Sequence, residues 1–209
     1  MLEVLTDPNG FFERMVGENI YLRMPIAIVL VLGLAESVNN LVMFNQILPL
    51  IEYGSEFMLI SRFGSLFGVL VGFIGTLIIW VIYSGLFYLL SMPFKGKGSF
   101  KRVLELVSYG FIPIIAGSII GMTVQIPAIF LIPLSTNDLQ LVEQMLLSNP
   151  LIQISVVIEL VFTLWAASIW ISALSYARNL SLRNAALVVG IPVGLHLIHS
   201  MYIFSTKLM

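Results

Sequence analysis

Glu36, Glu159, His196 and His199 lie inside long apolar stretches, well away from their ends, and no other acidic or basic side chain is placed so deeply. Carboxylates and imidazoles are the groups that ligate divalent metals and carry protons near neutral pH. In the first stretch Glu36, Asn39 and Asn40 stand at i, i+3 and i+4, and His196, His199 and Ser200 repeat that spacing in the last. On a helix each triplet projects from one face. Two Glu and two His suit Zn²⁺, or Fe²⁺ or Mn²⁺ with further oxygen ligands. The same groups could relay protons or ions, or act as hydrogen-bonded glue between helices, and the spacing leaves all three readings open. An ionised group at bilayer depth costs at least ~2.5–3.5 kcal/mol, so in each reading these side chains face partners or trapped water.

Other chemistries lack their motifs. His196-Leu-Ile-His199 has no adjacent Glu to act as the base of a zinc protease. Neither a Gly-x-Ser-x-Gly elbow nor the Glu-Glu-x-x-x-Arg pattern of intramembrane prenyl-protein proteases occurs. Gly96-Lys97-Gly98-Ser99 is too short for a phosphate-binding loop and follows an apolar helix rather than a strand. With no cysteine, disulfides, thiolate metal sites and Cys nucleophiles drop out. An enzyme is therefore not expected, and the absence of a Lys/Arg-rich run argues against a nucleic-acid partner.

The elements that position these residues follow from composition. Charged residues are 10% of the chain, against roughly 25% in soluble domains, and the mean hydropathy is +1.03. So few charges cannot build a water-facing surface. Five stretches are long enough to cross ~30 Å of hydrocarbon, at approximately 24–44, 66–90, 103–126, 151–173 and 185–204. The expected fold is all-α: a single membrane domain over residues 1–209, built as a bundle of five transmembrane helices with a kink near Pro113. The N-terminus lacks the basic start and apolar core of a cleavable signal, so the first span is expected to stay.

With a cytoplasmic N-terminus, the inner segments hold Arg14, Arg23, Lys95, Lys97, Lys101, Arg102, Arg178 and Arg183, and the outer ones only Arg62 and Lys207. That asymmetry orients the chain. The C-terminus and the Pro133–Pro150 loop with Asp138 and Glu143 then lie outside. At 1.5 Å per residue Glu36 is roughly 18 Å into its span, His196 roughly 17 Å into its own, and Glu159 roughly 12 Å below its outer end. All four deep groups fall in the outer half.

Before the first span, Asp7 and Pro8 read as N-cap and first helical residue, with Phe11, Phe12, Met15 and Val16 on one apolar face. A short helix over 7–19, lying in the membrane interface, is expected. Gly64, Gly68 and Gly72, and again Gly117 and Gly121, recur at four-residue intervals that let helices approach closely, within one chain or between two. The connector Pro93–Arg102 carries Lys95, Lys97, Lys101 and Arg102, a candidate contact for anionic lipids or a membrane partner together with Phe11 and Phe12. Ser99 is placed to cap the third span.

Three pieces of sequence then act together. The Gly96-Lys-Gly-Ser-Phe100 loop, the helix opening Ser108-Tyr-Gly-Phe-Ile-Pro113, and Trp170-Ile-Ser-Ala-Leu-Ser-Tyr-Ala-Arg-Asn-Leu-Ser-Leu-Arg-Asn-Ala185 resemble the Yip1 family of five-span membrane proteins. The opening Asp7-Pro-Asn-Gly-Phe-Phe12 is similar to its amphipathic entry segment. The resemblance implies a cytoplasmic N-terminus and association with other membrane proteins. Eukaryotic relatives act in vesicle traffic with Rab-type GTPases, but a long cytosolic N-terminal region is not seen here, and the chain looks more like compact prokaryotic members.

The expectation is thus a non-enzymatic integral protein of a prokaryotic plasma membrane, contacting membrane lipids or other membrane proteins and able to self-associate. The alternative is a small transporter or channel subunit using Glu36, Glu159, His196 and His199 for protons or a metal such as Zn.

Overall fold

The structure, a computed structural model, describes residues 2–47, 57–130 and 139–207, and the side chains of only part of these. The expected outer-loop position of Asp138 lies outside the described residues. Among them there is helix and no strand. Five helices are long and apolar enough to cross a membrane, at Arg23–Val42, Leu66–Ser91, Phe100–Phe130, Pro150–Arg178 and Leu182–Ile203.

At the N-terminus α1 (Glu3–Thr6) leads into α2 (Pro8–Val16), where Pro8 occupies the first turn and the Asp7 carboxylate accepts from the Gly10 N–H at 3.0 Å. The α2 helix does not reserve its apolar face for lipid. Phe12 is fully buried, and Phe11 meets the Tyr109 ring edge-on at 5.1 Å between centroids. These two rings were expected as lipid or partner contacts; instead they seat α2 on the bundle, because covering each other and Tyr109 removes more apolar surface than a half-immersed helix could.

The first span, α3 (Arg23–Ile47), packs closely along α4 (Phe57–Leu90). A Cβ on Gly72 would come 3.0 Å from the Ser37 backbone nitrogen, so this close approach favours glycine. In the third span the second glycine pair does the same: a Cβ on Gly117 would fall 2.7 Å from the Phe162 Cβ. At these positions the four-residue repeats serve packing within one chain.

The third span is broken. Its first part, α5 (Phe100–Val107), is capped by Ser99, and a 3₁₀ turn over Ser108–Gly110 joins it to α6 (Phe111–Phe130). The bend expected at Pro113 therefore falls just before it, and Pro113 sits in the first turn of α6, where no N–H is required. The turn sends the Phe111 N–H to the Ser108 and Tyr109 carbonyls, and the Val107 carbonyl receives the Trp170 indole N–H at 2.8 Å instead. Trp80 similarly caps the Leu104 carbonyl at 2.9 Å. Two buried indoles thus bond the carbonyls beside the break. Gly110 makes this possible, since a Cβ there would overlap Trp170 Nε1.

A short helix, α7 (Leu139–Ser148), occupies the segment expected to be an outer loop; Asn149 and Pro150 then start α8 (Pro150–Arg178) as N-cap and first residue. Asn179, in the left-handed conformation at φ 51°, ends it, a role Asn tolerates better than most residues. The last span is α9 (Leu182–Lys207). The spanning helices form an arc in the order α4, α3, α6, α8, α9, with α5 packed against α4 and α8, and the two ends of the arc meet only sparsely.

Candidate functional site

Two regions carry the polar chemistry. The first is a cavity of about 660 Å³ in the hollow of the arc, partly open to the surface. Glu36, Asn39 and Asn40 reach it from α3, Glu159 and Thr163 from α8, and His196 and Ser200 from α9. Three of the four deep ionisable residues therefore share one space. His199 does not line it. Among the described residues no group of three or more His, Asp or Glu is arranged to hold a metal ion.

The polar residues of α3 divide by what they do. Ser118 donates to Glu36 at 2.9 Å, Gln125 donates to the Asn39 side-chain oxygen at 2.7 Å, and Asn40 donates to the Gly68 carbonyl at 3.2 Å. These bonds tie α3 to α4 and α6, so this part of the cluster is interhelical glue. Glu159 and His196 make no hydrogen bond or ion pair to a described residue. Across the cavity from them, towards the other end of the bundle, the walls become aromatic: Tyr83 stacks on Trp170 at 5.2 Å, and Phe111 meets the same indole edge-on at 5.5 Å.

The second region is the cation-rich end. Lys95, Lys97 and Lys101 are exposed there, but Arg102 is not a free contact. It donates to the Glu105 carboxylate at 2.5 Å and to the Glu18 and Met15 carbonyls at 2.6 and 3.3 Å, while Glu105 also accepts the Tyr21 N–H at 2.7 Å. Arg102 thus fastens the N-terminal segment. The physical reason is proximity: the Ser99 cap starts α5 so that Arg102 and Glu105 share the face beneath that segment.

Arg178, counted beforehand only as a topogenic charge, is 3% exposed. Its guanidinium donates to Ser91 Oγ at 2.8 Å, to the Gly96 carbonyl at 2.7 Å and to the Gly98 carbonyl, and lies 4.2 Å over the Tyr88 ring. Its own carbonyl accepts the Lys97 N–H at 2.7 Å. No carboxylate among the described residues pairs with it. Carbonyl dipoles of the loop between α4 and α5 and an aromatic face stabilise the charge in place of an anion. Gly98, at φ 113°, gives the loop the turn that aims these carbonyls inward. The two glycines flanking Lys97 and the Ala177-Arg178-Asn179 sequence were the visible signals of this clamp.

These features define a five-span integral membrane protein with an internal polar cavity and a clamped basic loop. The Yip1 domain model matches residues 2–204, and the chain belongs to the Yip1 family. It is 31% identical over 124 residues to an uncharacterized protein of Methanocaldococcus jannaschii, covering 59% of this chain and 86% of that protein. No solved structure matches. The motifs that carry the family resemblance meet in space: the Gly-Lys-Gly-Ser loop is held by Arg178, and the Ser-Tyr-Gly turn receives Trp170.

Proposed function

We propose that this chain is a non-catalytic membrane protein that uses its cation-rich end, on the cytoplasmic side of a prokaryotic plasma membrane, to hold anionic lipids or other membrane components. The observation that carries the reading is the division of labour among the basic residues. Arg102 and Arg178 are spent on the fold, whereas Lys95 and Lys97 stand exposed on the loop that Arg178 fastens and Lys101 stands exposed in the first turn of α5. At about 1 kcal/mol per cation near the headgroups, three lysines contribute about 3 kcal/mol, roughly a hundredfold in preference for anionic lipid. Replacing all three with Gln should erase most of the preference for phosphatidylglycerol over phosphatidylcholine among lipids retained in native mass spectrometry. An unchanged preference would sink the proposal. Cysteines introduced at Ser99 and Asp138 should label from inside and outside respectively.

The shared cavity supports a second reading, a small transporter or channel subunit in which Glu36, Glu159 and His196 handle protons or cations. Liposome flux under ion and pH gradients, abolished by Glu159→Gln, would favour it. The absence of flux under every gradient would leave binding.

A further inference from the structure

We propose that the intramembrane cavity binds a single-chain amphiphile with an organic ammonium head, entering from the bilayer between α4 and α9. This reading stands on a different part of the molecule from the basic loop. Along α8 the lining runs from Val156 to Trp170, which at 1.5 Å per residue is roughly 21 Å. The cavity is a slot aligned with the helices, long enough for an alkyl chain. Its two ends differ in chemistry.

At one end stand Glu36, Glu159 and His196, and no Lys or Arg is among the described lining residues. Glu36 already accepts from Ser118; Glu159 has no described partner. A carboxylate at bilayer depth without a partner is costly, and an ammonium answers it with opposite charge and up to three donors. A carboxylate or phosphate head would be repelled, and an alcohol would bring one donor and no charge. At the other end Tyr83, Phe111 and Trp170 offer apolar walls for the tail.

The route is open where the arc of helices is weakest. α4 and α9 meet sparsely, and Val71 and Ile79 of α4 line the cavity while remaining 49% and 47% exposed on the surface a bilayer would cover. A molecule dissolved in the bilayer could slide its tail in without crossing water. Gly75 supplies a test of location, because it lines the slot and a Cβ there would meet no atom within 4 Å.

The experiment uses the full chain in phosphatidylcholine nanodiscs, titrated with dodecylammonium, dodecanol or dodecanoate and read by native mass spectrometry. Dodecylammonium should bind saturably, one per chain, and dodecanol and dodecanoate at least roughly tenfold more weakly. Glu159→Gln should weaken dodecylammonium by a similar factor, and Gly75→Leu should remove the bound molecule without lowering the unfolding temperature. Equal affinity for dodecanol, or wild-type binding by Gly75→Leu, would overturn the proposal. If Gly75→Leu does not fold, Glu159→Gln decides alone, and unchanged affinity there overturns it.

Discussion

Replacing Arg178 with Ala should destabilise the protein by roughly 3 kcal/mol and release the loop between α4 and α5. The guanidinium makes three hydrogen bonds as a charged donor, to Ser91 Oγ, the Gly96 carbonyl and the Gly98 carbonyl. Such bonds contribute about 1.5–3 kcal/mol each, and the contact with the Tyr88 ring adds about 1 kcal/mol. Against this sum of roughly 5–10 kcal/mol stands the desolvation of a nearly buried cation, several kcal/mol, which the substitution returns. The freed carbonyls belong to a loop at the bundle's end and can hydrate, so subtracting the desolvation leaves a net loss of roughly 3 kcal/mol. Two readouts check it: the midpoint of unfolding in detergent, and the rate of tryptic cleavage after Lys95 and Lys97, which should rise once the loop is unfastened. Arg178→Lys separates charge from geometry. One ammonium cannot reach three acceptors arranged for a planar fork, so the lysine variant should recover only part of the stability and leave cleavage fast. If Arg178→Ala unfolds like the wild type and its loop is cut no faster, the clamp is not what holds the basic loop in place.

Glu105→Gln should cost about 3 kcal/mol, because it removes the buried charge that balances Arg102, and hydrogen exchange should accelerate at the Tyr21 amide that Glu105 accepts; wild-type exchange there would refute the tether. Gly110→Ala should lower the unfolding temperature sharply or prevent folding, since its methyl would overlap the buried Trp170 indole and displace the bond to Val107. Gly190→Ala is the matched control: its Cβ meets nothing within 4 Å, and the helix should gain up to about 1 kcal/mol from the loss of glycine. Equal melting of the two alanine variants would show that close approach at Gly110 is not limiting.

Much of the fold could be read along the chain because each determinant is local. Span positions depend on runs of apolar residues matched to bilayer thickness, and the Asp7-Pro8 and Ser99 helix starts depend on a side chain reaching a backbone N–H a few residues away. The Ser-Tyr-Gly break was visible only as a family motif; its position before Pro113 depends on Trp170, some sixty residues later in the chain. The α7 helix escaped for a related reason, since a short polar-apolar segment carries too little periodicity to separate it from a loop.

For the site, residue types and depths were evident and facing was not. Taken over their whole length α3 and α9 carry no amphipathic stripe, so hydropathy does not mark which side turns inward. With 100° of rotation per residue, the i, i+3 pair His196 and His199 can be split by the edge of a cavity, and it is: the first lines the slot and the second does not. By itself the sequence determined that this is a five-span membrane protein of the Yip1 type with carboxylates and imidazoles at depth, because hydropathy and length act one segment at a time. Which of those groups meet, and which cations the fold consumes, was decided only by tertiary structure. Arg102 and Arg178 look like Lys95 and Lys97 in a string of letters; they differ because segments distant in sequence bring backbone carbonyls within their reach, to which Arg102 adds the Glu105 carboxylate one turn along its own helix.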